Sequence, residues 1–183
     1  AHLPLASVQI IPTTDRRAVG AMLAAIGEID VIIPRGGKSL VGRVQQEARV
    51  PVFAHLEGIC HLYIASGADS KMATDVAVNA KMRRVGICGA AETILIDKSI
   101  AKSHAGPIVN ALLDAGCEVR GDKTIKACDA RVIIATDDDF GQEFLAPIIA
   151  IKIVGNMDDA LSHIRKFGSG HTESIITSDE TEA

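Results

Sequence analysis

The chain has 183 residues, 48% of them apolar, and a formal net charge of -4. That length suits one domain with a full core and is short for two. Aromatic residues make up only 3%, there is no Trp, and no basic stripe is visible. Nucleic-acid binding, which draws on base stacking and phosphate neutralisation, is therefore not expected. No apolar run approaches the roughly 20 residues that span a bilayer, and residues 1–7 lack a basic segment ahead of an apolar core, so neither a membrane span nor a secretory leader is expected. The four cysteines, Cys60, Cys88, Cys117 and Cys128, form no Cys-x-x-Cys pair. They read as reduced thiols of a cytoplasmic protein. The histidines lack ligand spacing, so no metal is expected.

In chain order, residues 8–11 form a β-branched run ended by Pro12. Thr13 and Thr14 can cap a helix reaching Ile26, closed by Gly27. Residues 31–33 read as a strand followed by Pro34, and residues 38–48 as a helix after Gly36 and Gly37. Residues 50–53 and 62–64 are strand-like. Asp69 can cap the next helix, whose apolar stripe is Met72, Ala73, Val76 and Ala80. A strand over residues 93–96 precedes a helix over 101–115 stopped by Gly116. Strands follow at 132–135 and 148–154. Asn156 caps a helix with Asp158 and Asp159 in its first turn and Arg165 and Lys166 in its last, both suited to the helix dipole. Met157, Leu161 and Ile164 form its expected buried stripe, and Gly168 ends it. Residues 174–177 close the pattern as a short strand.

Apolar strands alternating with amphipathic helices imply an α/β fold, a mostly parallel sheet flanked by helices. The spacing fits right-handed βαβ crossovers.

Cys88 lies between Gly86 and Gly89, after a helix whose end carries Lys81, Arg83 and Arg84. Glycines allow close approach to the sulfur, and nearby cations favour the thiolate, the reactive form. Spacing alone leaves two readings open, a nucleophile or a small buried hydrophobe.

Four motifs narrow the choice. They are Ile-Pro-Arg-Gly-Gly-Lys at residues 33–38, His-Leu-Glu-Gly-Ile-Cys-His at 55–61, Cys-Gly-Ala-Ala-Glu-Thr at 88–93 and Gly-Ser-Gly-His-Thr-Glu at 168–173. In that order they resemble the gamma-glutamyl phosphate reductase family, within the aldehyde dehydrogenase superfamily, and the match covers nearly the whole chain. The resemblance implies an aldehyde dehydrogenase-like catalytic domain over residues 35–183, truncated on its C-terminal side, and the end of a dinucleotide-binding domain over residues 1–34. It implies NADP(H) as cofactor, gamma-glutamyl phosphate as substrate, a homo-oligomer, and Cys88 as the nucleophile that forms a thioester.

By the same resemblance, residues 143–148 match the superfamily's Glu-x-Phe-Gly-Pro stretch in its Glu and Pro, which marks Glu143 as the residue that holds the nicotinamide ribose. Hydrolytic members of the superfamily carry a water-activating Glu ahead of the Gly-Gly, where this chain has Arg35. An arginine there can attract an anionic substrate group or simply face solvent. From their own surroundings, Glu57 and His61, dense polar residues beside a buried strand, read either as substrate-pocket residues or as satisfied polar groups of a tight turn. His171, on a loop that can approach a ligand, reads as a further substrate-pocket candidate. Two other outcomes stay open, an acylating enzyme for a different acyl donor and a non-catalytic α/β ligand-binding module.

Overall fold

The computed structural model describes residues 3–183; Ala1 and His2, the first of the residues 1–7 where no leader is expected, lie outside the described residues. The chain forms two compact units, one ending at Leu56 and one spanning Glu57–Ala183.

Among its described residues the first unit holds a 3-10 turn at Leu5–Ser7 and two α-helices, α1 (Arg17–Leu23) and α2 (Lys38–Glu47). The strands expected at residues 31–33 and 50–53 shrink to a single parallel bridge, Ile32 with Val52. Ile32 N–H donates to Pro51 at 2.9 Å and Phe53 N–H to Ile32 at 2.9 Å. Pro34 and Pro51 offer no N–H to carry the ladder further. Residues 8–11 form no strand either. Val8 and Ile10 are 84% and 90% exposed, because an extended run becomes a strand only beside a partner, and it has none among the described residues of this unit.

The second unit carries β1 (Cys60–Ile64), α3 (Ser70–Met82), β2 (Ala91–Asp97), α4 (Ala101–Asp114), β3 (Glu118–Gly121) and α5 (Lys123–Lys126). It continues with β4 (Ile133–Ile134), α6 (Asp137–Phe140), β5 (Ile148–Val154), α7 (Met157–Phe167) and β6 (Glu173–Ile176). All six strands run parallel, in the order β4-β3-β5-β2-β1-β6. Two of the expected caps form, Asp69 accepting from Met72 N–H and Asn156 from Asp159 N–H; the one expected at Thr13 and Thr14 does not, since α1 starts at Arg17 without a side-chain cap. Asp158 and Asp159 open α7, and Arg165 and Lys166 close it.

Side chains alternate across the sheet with the period of two that a strand imposes. Leu62, Ile64, Ile94, Ile96, Ile149 and Ile151 pack on one face with Ala73, Ala77, Ile108 and Leu112 from α3 and α4. Tyr63, Leu95 and Val154 face the other way, towards Ala160 of α7. The helices bury slightly different stripes from those expected. In α3, Ala73, Ala77 and Lys81 are buried while Met72 is 39% exposed; in α7, Ala160 and His163 are buried while Leu161 is 40% exposed. Small residues let each helix sit close to the sheet, and the larger apolar groups flank the contact. The strand β3, unforeseen in a short charged stretch, joins the sheet because Val119 turns inward and is fully buried.

Candidate active site

In a parallel sheet all strands begin at the same edge, and loops entering neighbouring strands meet there. Four such loops, those before β5, β2, β1 and β6, carry Glu143, Cys88, Glu57 with Gly58, and Ser169 to Thr172. The residues gather at the amino edge of the sheet, whereas ligands of open α/β sheets usually lie outside the carboxyl ends.

The entry to β1 organises this edge. Side chains take three of the N–H groups at the start of this stretch. Gly58 N–H donates to Glu143 Oε1 at 2.8 Å, Ile59 N–H to Ser169 Oγ at 2.9 Å and His61 N–H to Glu173 Oε2 at 3.0 Å. Two distant segments, one at Glu143 and one running from Ser169 to Glu173, are thereby tied to one stretch of backbone.

Cys88 is exposed, whereas Cys60 and Cys117 are buried and Cys128 lies between. Its loop rests directly on Gly58. A Cβ at Gly58 would stand 2.0 Å from the Cys88 carbonyl oxygen and 2.9 Å from its Cα, so no other residue fits there unless the backbone moves. Cys60 Sγ donates to the same carbonyl at 3.1 Å. Burial, and then the charge of Glu173, push the Cys60 thiol up to about 11; burial pushes Cys117 up to about 12. A deprotonated sulfur is unfavourable at both positions.

One expectation needs correcting. Lys81 does not offer its charge to Cys88. It is fully buried and bonds Glu92 at 2.5 Å, on the face beneath α3. Glu92 Oε1 also accepts from Leu145 N–H at 3.3 Å, so the pair anchors the loop that carries Glu143. Burial pushes the Glu92 carboxyl up against the opposing pull of Lys81. Leu145 itself has a φ of 50°, a left-handed backbone uncommon for a residue with a Cβ. Arg83 and Arg84 lie exposed past the end of α3.

Glu143 and His171 are partly covered side chains on this edge, and His171 Nδ1 stands 2.8 Å from Thr172 Oγ1 and 3.7 Å from Cys60 Sγ. Glu57 is half-buried at the start of the unit. His61 is buried on the α7 face. Its Nδ1 lies 2.9 Å from Glu173 Oε2, and its ring meets that of His163 edge-on at 5.5 Å. Arg35 belongs to the other unit, exposed, with Nη1 reaching the Pro34 carbonyl at 3.4 Å. Gly58, Glu92, Ser169 and Glu173 lie inside the four motifs but receive no role from sequence, and Lys81 reads there as a cation near Cys88, not as the partner of Glu92.

A parallel α/β sheet with an exposed cysteine in a glycine-flanked loop entering a central strand places the chain among proteins of the aldehyde dehydrogenase fold. Betaine aldehyde dehydrogenase from Staphylococcus aureus, in complex with NAD+, matches 90% of the chain at 13% identity with a TM-score of 0.65, which speaks for the fold alone. The glyceraldehyde-3-phosphate dehydrogenase GapN from Methanocaldococcus jannaschii, complexed with NADP, matches 92% of the chain, and 45% of its own, at 16% identity with a TM-score of 0.64.

By sequence the chain is similar to the gamma-glutamyl phosphate reductases over the span it shares with them. It is 55% identical to that of Parvibaculum lavamentivorans and 56% identical to that of Methylorubrum extorquens, across its whole length. It spans 43% and 42% of the length of those two proteins. The crystal structure of gamma-glutamyl phosphate reductase from Thermotoga maritima superposes on 93% of the chain, and 41% of its own, at 42% identity with a TM-score of 0.85. No family model matches.

Proposed function

We propose that the protein carrying this chain reduces gamma-glutamyl phosphate to glutamate 5-semialdehyde and phosphate, using NADPH, as a cytoplasmic enzyme of proline biosynthesis. The identity of more than half of all residues to gamma-glutamyl phosphate reductases supports this reading most strongly. In this reading residues 35–183 are the catalytic domain, residues 1–34 end the dinucleotide-binding domain, and the protein is a homo-oligomer.

Cys88 Sγ attacks the acyl carbon, the carbon–oxygen bond to phosphate breaks, and a thioester remains on the sulfur. Phosphate is a good leaving group, and the sulfur splits one difficult substitution into two easier steps. NADPH, when bound, supplies the hydride that reduces the acyl group. Collapse of the resulting hemithioacetal releases the semialdehyde and returns the thiol. Glu143 suits the ribose of such a cofactor: it is a partly covered carboxylate, already oriented through Oε1, next to the glycine on which the Cys88 loop rests. Carboxylate oxygens accept from sugar hydroxyls. Glu57 and His171 attract and orient the polar groups of the substrate, and His61 acts through its bond to Glu173.

The test is a phosphate-dependent semialdehyde oxidation assay with NADP, on the full-length protein and its Cys88→Ala variant. Activity is expected in the former and none in the latter. A folded, cofactor-binding wild type that ignores glutamate 5-semialdehyde, yet oxidises another aldehyde, would move the assignment to a different acyl donor.

A further inference from the structure

Cys60 has no part in the chemistry above, yet it touches the residue at its centre. It opens β1, is 3% exposed, and its sulfur lies 3.1 Å from the carbonyl oxygen of Cys88. From bond lengths, a carbonyl oxygen lies about 2.4 Å from its own Cα, so the Cys60 sulfur is within about 5.5 Å of the Cys88 Cα. A cysteine sulfur swings on a radius of about 2.8 Å around its Cα. Rotation of the Cys88 side chain, with a small adjustment of its loop, closes the gap to disulfide distance. The loop can adjust, because Gly86 and Gly89 flank it with nothing within 4 Å of where a Cβ would stand. Of the other thiols, Cys117 lies in the core packed by α3 and α4, and Cys128 packs against that core.

We propose that Cys60 is a resolving cysteine for Cys88, which makes the pair a reversible oxidation site for hydrogen peroxide or an organic hydroperoxide. The proposal rests on Cys88 being a reactive thiol. The Cys88 thiolate attacks the peroxide; the O–O bond breaks, hydroxide leaves from hydrogen peroxide or an alkoxide from an organic hydroperoxide, and sulfur is oxidised by two electrons to the sulfenic acid. Cys60 sulfur then attacks that sulfur. The S–O bond breaks, the Cys60 proton passes through His171 Nδ1 at 3.7 Å to the departing hydroxide, and one water is released as the S–S bond forms. Without a partner, a sulfenic acid is oxidised onward to the sulfinic acid, which dithiothreitol does not reverse. The disulfide also occupies the nucleophile, so oxidation silences the enzyme until a thiol reductant restores it.

The experiment treats the full-length protein with hydrogen peroxide, alkylates the remaining thiols, digests without reductant and maps peptides by mass spectrometry. The expected wild-type product is a Cys60–Cys88 linked peptide, two hydrogens lighter than its parts, which dithiothreitol separates. In Cys60→Ser, which keeps a donor for the Cys88 carbonyl, the link is lost and Cys88 accumulates as irreversible sulfinic acid. Wild-type protein that yields no linked peptide, and whose Cys88 reaches the sulfinic acid as fast as in Cys60→Ser, overturns the proposal. The wild-type map decides even if the variant folds poorly. It is also independent of turnover, so an active Cys88→Ala enzyme would defeat the catalytic assignment without touching this result.

Discussion

Gly58→Ala tests how the nucleophile is held. The new Cβ would lie 2.0 Å from the Cys88 carbonyl oxygen and 2.7 Å from its carbon, and the obstacle is backbone, which cannot rotate aside. To reach ordinary contact at 3.4 Å the Cys88 loop must retreat by about 1.4 Å. That retreat also stretches the Cys60 hydrogen bond to the same carbonyl. Overpacking of this kind costs about 1–3 kcal/mol of stability. Misplacing a reacting group by about 1 Å costs on the order of 100-fold in rate. The variant should therefore unfold at lower urea, turn over at least about 100-fold more slowly, and show an altered rate of iodoacetamide labelling at Cys88. The readout is kcat and labelling rate on protein shown to be folded at the assay temperature. Wild-type turnover and wild-type labelling in Gly58→Ala would refute the claim that this glycine fixes the position of Cys88.

The other expectations concern the interior. His163 is packed among His61, Phe140 and Phe167, and burial, followed by the charges of His61, Lys152 and Lys166, pushes it down to about 4. The unfolded chain takes up that proton more readily, so the contribution of His163 is complete above its ordinary value of 6.5 and is lost as the pH falls towards 4. At about 1.4 kcal/mol per pH unit, the whole window is worth about 3 kcal/mol. Urea titrations should show His163→Gln losing this acid sensitivity; parallel wild-type and variant curves across the window would dismiss the reading. Lys81→Met should cost about 3–5 kcal/mol, because it strands a buried carboxylate. Adding Glu92→Leu should recover most of that loss, and a double variant no more stable than the single one would contradict it.

What could be read along the chain was whatever depends on neighbours a few residues away. The caps Asp69 and Asn156, the charge order of α7 and the alternation of strands with helices all repeat within a turn or two, so the α/β class was visible without a structure. So was the Cys88 motif, whose glycines and cysteine are adjacent. The reading failed where an element needs a partner. Residues 8–11, 31–33 and 50–53 carry the same β-branched signal as β5, but only β5 finds strands on both sides.

The arrangement at the amino edge depends instead on bonds between residues far apart. Gly58 meets Glu143 across 85 positions, Ile59 meets Ser169 across 110 and His61 meets Glu173 across 112. Nothing in local spacing encodes such pairings; they arise when the strand order places four entry loops side by side. The same holds for Lys81, which reads in sequence as a cation near a thiol. Folding turns it inward to Glu92, because a charge on the sheet-facing side of α3 must find its partner in the core.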